Sequence, residues 1–168
     1  MLIVVCLNPV MSEVNVLITN FLNGLGGTNK ILLGLVLGMM MAADIGGPIN
    51  KAAYAFSIAM LEAGNAANMG AVMTSGMVPA VGVALAATIF KKKFNAEQRD
   101  AAKANYIMGL SFICEGAIPY AAADPKVIIP SLITGAGITG ALSMLFNVGV
   151  PAPHGGTFVT PVVTIVFM

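Results

Sequence analysis

Charge is what this chain has least of: 9% of its 168 residues are Asp, Glu, Lys or Arg, where an average soluble domain carries roughly 25%. The apolar remainder, 58% of the chain at a mean hydropathy of +0.91, is too large for one soluble core, so a large soluble domain is excluded. The basic residues form neither a face nor a stripe with interleaved aromatics, which sets nucleic acid aside as a partner. Histidine occurs once and cysteine twice. Cys6 and Cys114 lie in apolar sequence without CxxC spacing and read as small buried hydrophobes rather than a disulfide or a metal pair. There is no GxxxxGK[ST] phosphate loop, no metal-ligand spacing and no nucleophile elbow. No cofactor or metal is expected, and the chain has no energy source of its own.

What is present is 12 Met, 19 Gly and long apolar runs. These predict an all-α, polytopic helical membrane protein with broken helices and re-entrant hairpins, its small residues allowing close helix packing. At about 20 residues per span the length suits four or five crossings plus shorter pieces. Residues 1–29 read as a span, broken early by Asn8-Pro9. Its better helix begins near Ser12 as N-cap, with Glu13 in the first turn complementing the helix dipole. Met1 to Leu7 has no basic segment or cleavage site of a signal peptide and reads as the beginning, or cut edge, of that span. Residues 31–63 read as a span interrupted at 44–51, carrying a GxxxG pair at Gly34 and Gly38.

Residues 66–90 carry no charge and read as a further span, kinked at Pro79. Residues 91–103, KKKFNAEQRDAAK, hold five of the eight basic residues and read as a cytoplasmic loop by the positive-inside rule. On that assignment Glu62 lies near the outer surface and Lys30 returns to the cytoplasmic side. Residues 104–125 read as a re-entrant hairpin, 127–148 as a span, 149–161 as a second hairpin loop and 162–168 as the start of the next segment.

Three interruptions hold most of the polar groups within apolar sequence. GLSFICEGAIPYAAADP, residues 109–125, places the single carboxylate Glu115 between glycines and a proline. An ionised group there is costly unless it faces a cavity, a partner or a polar ligand. At residues 44–51, Gly46-Gly47-Pro48 unwinds the chain beside Asp44, Asn50 and Lys51. Asp44 and Lys51 pairing with each other is the bland alternative. His154, the only histidine, sits between a proline pair and a glycine pair; a structural imidazole is the ordinary reading of such a residue. Brought together, these segments make a cavity with a carboxylate, an imidazole, an amide and an ammonium, which suits a neutral polyol. The carboxylate accepts from neighbouring hydroxyls, and a neutral imidazole can take a hydroxyl proton.

GGPINKAAYAF, GLSFICEGAIPYAAADP and PAPHGGTF, in that order and separated by a basic segment, resemble the C-terminal half of the membrane-embedded C component of the fructose-specific enzyme II of the bacterial phosphoenolpyruvate-dependent sugar phosphotransferase system. The likeness runs from roughly Asn23 onward. It implies a multi-pass helical permease of the bacterial inner membrane, typically a homodimer in the lipid bilayer. Such a permease moves sugar inward while the phosphorylated B domain of the same system phosphorylates it. It places the hairpin acid at Glu115 and the motif histidine at His154, as catalytic groups that hold sugar hydroxyls and assist phosphoryl transfer. Asn50, Lys51 and Asp44 stand beside them as candidate substrate-binding residues. Cys114 stands where threonine is expected and Tyr120 where phenylalanine is usual. The likeness also implies that the phosphorylated donor residues are not on this chain, and that the remaining part of the C domain is among its partners. Fructose is the sugar implied; mannitol or another hexose fits the same polar groups. Two other readings use the same cavity: an ion- or proton-coupled secondary sugar transporter with Glu115 as proton carrier, and an inactive permease fragment.

Overall fold

The computed structural model describes Glu13 and residues 16–25 and 29–165. Cys6, Ser12, the start of the 1–29 span and the end of the 162–168 segment lie outside the described residues. Helices α1 (Val16–Leu25), α2 (Lys30–Ala43), α3 (Pro48–Glu62), α4 (Ala67–Ile89), α5 (Ala96–Leu110), α6 (Ile118–Ala123) and α7 (Pro125–Leu145) follow one another along the chain. Among the described residues, α4 and α7 are the helices long and apolar enough to cross a membrane. At about 1.5 Å per residue the 23 residues of α4 measure about 34 Å, slightly more than a bilayer's hydrocarbon core.

The two long helices run antiparallel over their whole length. Gly82 faces Leu132, Gly135 faces Val78, and Gly70 lies against the carbonyl of Val148 just beyond α7. Helix α2 packs along α7 even more closely. A Cβ at Gly34 would overlap the carbonyl of Gly140, and one at Gly38 the carbonyl of Ala136, so backbone meets backbone across this seam. The Gly34/Gly38 pair therefore has the meaning its spacing suggests, with Ala136 and Gly140 as its complement.

Helix α2 is capped by Asn29, whose side chain accepts from the amides of Ile31 and Leu32 at 3.0 and 3.2 Å. It ends where Ile45 and Gly46 take left-handed φ values of 44° and 94°, and Pro48 starts α3 with a φ already suited to a helix. The Asp44 carboxylate reaches past the turn to accept from the amides of Ile49 (2.6 Å) and Asn50 (3.0 Å). The chain thereby reverses. Lys30 and Leu33 at the start of α2 share a cavity with Met60 near the end of α3 and Asn68 at the start of α4. This differs from the expected crossing over 31–63 with an interruption at 44–51: residues 44–47 form the tip of a helical hairpin, and Lys30 lies at the same end of the molecule as Glu62. The physical reason is the left-handed pair at 45–46, which turns the backbone instead of kinking it.

The second hairpin enters from the opposite end. The hydrophilic stretch expected as a loop over 91–103 is a 3-10 turn at Lys91–Lys93 followed by α5, which starts from a capping box between Asn95 and Gln98. Helix α5 returns alongside α4: the Tyr106 hydroxyl meets Thr88 Oγ1 at 3.0 Å, and Gly109 presses on Val81. Its tip, residues 111–114, leads into a 3-10 turn at Glu115–Ala117 and then α6. Asn105 Nδ2 donates to the Gly116 carbonyl at 2.9 Å, and the Tyr120 hydroxyl donates to the Gln98 carbonyl at 2.6 Å, which ties the two arms together.

After α7, strand β1 (Val148–Gly149) pairs antiparallel with β2 (Thr164–Ile165). The chain between them makes a third inward loop, closed at its base by this pairing. Its tip reaches the middle of α4, where Gly76 lies against Phe112 and Met41.

Candidate functional site

Three tips converge beside the middle of α4. The first hairpin contributes Met41, Asn50, Lys51 and Tyr54, the second contributes Phe112, Ile113, Cys114 and Glu115, and the third loop contributes His154; together they line a cavity of about 310 Å3. That volume lies at the lower end of the range typical of small-molecule sites, roughly 300–1,000 Å3.

The Glu115 side chain is 46% exposed into this space. Its Oε1 stands 3.9 Å from Lys51 Nζ, whose side chain is 63% exposed. At that separation the pair is loose, and both charges keep most of their hydrogen-bonding capacity for a third party. Gly46 makes room for the carboxylate: a Cβ there would come within 2.6 Å of Oε1. The thiol of Cys114 donates to Glu115 Oε2 at 3.6 Å. Asn50, buried in the wall, spends its amide hydrogens on the Met41 carbonyl (2.6 Å) and on Cys114 Sγ (3.7 Å).

His154 is held by aromatic neighbours. Its ring stands edge-on to Phe112 at 5.2 Å, and Phe112 packs on Tyr54 at 6.0 Å. The Tyr54 hydroxyl donates to the carbonyl of Pro153 at 3.0 Å, and Thr157 Oγ1 donates to the Leu110 carbonyl at 3.0 Å, pinning the histidine loop to both hairpins. Gly156, at φ 57°, lies where any Cβ would strike the Leu110 carbonyl. Backbone strain gathers at these tips: Phe112 has φ 68°, and Ile45, a β-branched residue, has φ 44°. Such conformations cost about 1–3 kcal/mol each and persist where the surrounding structure enforces them.

Of the residues singled out from sequence, Glu115, His154, Asn50 and Lys51 share the cavity. Asp44 does not; its carboxylate is engaged by the first amides of α3. Lys51 pairs with Glu115 instead of Asp44. Tyr54 and Phe112 were not visible as site residues, although Tyr54 stands four positions after Asn50 and so on the same helix face.

Facing loop tips of a mainly helical membrane fold thus deliver polar groups to one cavity, where irregular backbone at depth can be satisfied. The chain belongs to the family described as "Phosphotransferase system, EIIC", which matches residues 1–135. It is 54% identical over 149 residues to the "PTS system fructose-specific EIIB'BC component" of Vibrio cholerae serotype O1, covering 89% of this chain and 26% of that protein. Identity is 52% over 159 residues to the "PTS system fructose-specific EIIC component" of Haloferax volcanii, with 94% and 42% covered. It is 52% over 151 residues to the "Fructose permease IIC component" of Bacillus amyloliquefaciens, with 90% and 49% covered. The chain thus spans about a quarter to a half of the length of these curated relatives. No solved structure matches it.

Proposed function

We propose that the chain is the sugar-binding part of a fructose-specific permease of the phosphoenolpyruvate-dependent phosphotransferase system. It binds fructose or a similar sugar and translocates it with phosphorylation by a separate B domain. The observation that carries this reading is the meeting of Glu115, Lys51 and His154 around one cavity beside the middle of α4, each delivered by a different interruption of the chain. Glu115 accepts hydrogen bonds from sugar hydroxyls, and the oxygen of Asn50, unbonded among the described residues, adds a further acceptor. His154 takes the proton of the hydroxyl that receives the phosphoryl group, and Lys51 offers positive charge to the phosphoryl oxygens. The bond between phosphorus and the donor residue of the phosphorylated B domain breaks as the sugar O–P bond forms. Positioning and charge stabilisation are the main protein contributions to such a transfer.

In this proposal the chain works with the remaining part of the C domain as a homodimer, multi-pass in the bacterial inner membrane. The basic segment 91–103 faces the cytoplasm by the positive-inside rule, so the amino end of α4 faces outward. A complete complex carrying Glu115→Gln is expected to lose sugar binding and sugar phosphorylation by about 100-fold, a charge-assisted contact's share. Normal uptake by that variant would defeat the assignment.

A further inference from the structure

A second cavity, of about 200 Å3, lies at the amino end of α4. Its polar lining is Asn23, Lys30, Asn65 and Asn68, and Phe56 forms part of its apolar wall. Asn68 is 3% exposed, and its carboxamide has no hydrogen-bond partner among the described residues. The carboxamide lines the cavity, so its hydrogen-bond partners come from whatever fills that space. The Asn65 side-chain oxygen accepts from the amide of Ala67 at 3.2 Å, and its side-chain NH2 has no partner among the described residues. Among the described residues its lining has no carboxylate, and its carboxamides both donate and accept. That pattern matches the alternating donors and acceptors of a neutral polyhydroxylated molecule. The volume, about that of six or seven waters, suits a monosaccharide rather than a peptide.

Its position bears on the same point. Leu33 lines this cavity and Met41 lines the one beneath the hairpin tips. Leu37, one turn from each on the same face of α2, is fully buried between them, as is Ala53 on α3. Along α2 the cavities are about 12 Å apart, two turns of helix. A single apolar layer separates them.

We propose that the Asn23–Asn65–Asn68 cavity is a second carbohydrate subsite, a vestibule that holds a neutral monosaccharide on the side of the membrane away from the basic segment before it passes to the Glu115 cavity. This rests on the permease reading above.

The test uses the complete permease with its B domain in sealed vesicles, fructose as the probe, and initial uptake rates over a range of concentrations. Asn68→Leu is expected to raise the KM for uptake about tenfold while the rate at saturating sugar holds. Because the amide has no partner among the described residues, the same change should not lower the melting temperature. Asn23→Ala, on an exposed position of α1, should raise KM about threefold and serves if Asn68→Leu does not assemble. In Glu115→Gln, whose central site is disabled, weak saturable binding of labelled fructose should remain and disappear on adding Asn68→Leu. An unchanged KM in both single variants, or no saturable binding in Glu115→Gln, overturns the vestibule while leaving the central site intact. Wild-type uptake by Glu115→Gln instead overturns the permease reading itself.

Discussion

The α2–α7 seam and the junction of the loop tips are built from the same small residues to opposite ends. At the seam, Gly34 and Gly38 let carbonyls of α7 come so near that no side chain fits, and the interface is shut. At the junction, Gly46 gives up its side chain so that Glu115 has somewhere to stand. The first use of glycine maximises van der Waals contact between helices, which is what holds helices together in lipid. The second keeps a charged group in partial contact with open space, where it is cheap to hold and free to act. A glycine in a membrane chain therefore carries no fixed meaning; its neighbour across the gap decides.

That contrast can be broken from either side. His154→Gln should lower sugar phosphorylation by the complete complex about 10²–10⁴-fold, or roughly 3–5 kcal/mol of barrier, while the melting temperature stays within a degree or two. Rate assays paired with a thermal melt test this; a variant that loses stability first would make the imidazole a structural residue. Gly38→Leu should do the reverse. It forces a side chain against the Ala136 carbonyl and should cost more than about 3 kcal/mol, read as loss of folded protein by size-exclusion chromatography in detergent.

Asp44→Ala should cost about 1–2 kcal/mol of stability, the usual value of a lost helix cap. Sugar affinity should change only through the geometry of the tip; a direct loss of binding with unchanged stability would return Asp44 to the site. Tyr54→Phe removes the bond to Pro153 and should cost about 0.5–1.5 kcal/mol, appearing as a fall in kcat of less than tenfold with KM nearly constant. The smallest effect belongs to Lys103→Met. Lys103 donates to Asp100 at 2.8 Å and holds that exposed carboxyl below its ordinary range. A depressed acid stabilises the fold above its unfolded pKa and loses that support as the pH falls. At so exposed a pair, activity and stability should stay within measurement error, with only the Asp100 titration moving up.

The comparison also separates what could be read from the sequence from what could not. Helix α4 falls within a residue of the expected span over 66–90, because a charge-free run of that length has few other structures open to it. Glu115 and His154 stand out for the same reason: a polar group in apolar sequence is a conspicuous exception. The reversal at 44–47 was hidden because Gly-Gly-Pro signals a break without giving its angle; the left-handed φ of Ile45 supplies the rest. At the start of α5 hydrophilic composition suggests a loop, whereas Asn95 and Gln98 stand at capping-box spacing and begin a helix. Tyr54 and Phe112 carry no local signal at all, since an aromatic in an apolar run is ordinary until its neighbours are known. Lys51's partner lies 64 positions further along, and no local reading of charge could have paired them.

The acid and the imidazole reach the cavity from opposite directions. The hairpin carrying Glu115 is rooted beside the basic segment, whereas the loop carrying His154 is rooted at the β1–β2 pairing by the far end of α7. Each is thus moored at a different end of the α4–α7 pair. Any sliding of one mooring past the other changes the gap between the two groups before it changes either group's own surroundings, so the lacing of the chain makes that gap the first thing such a movement would alter.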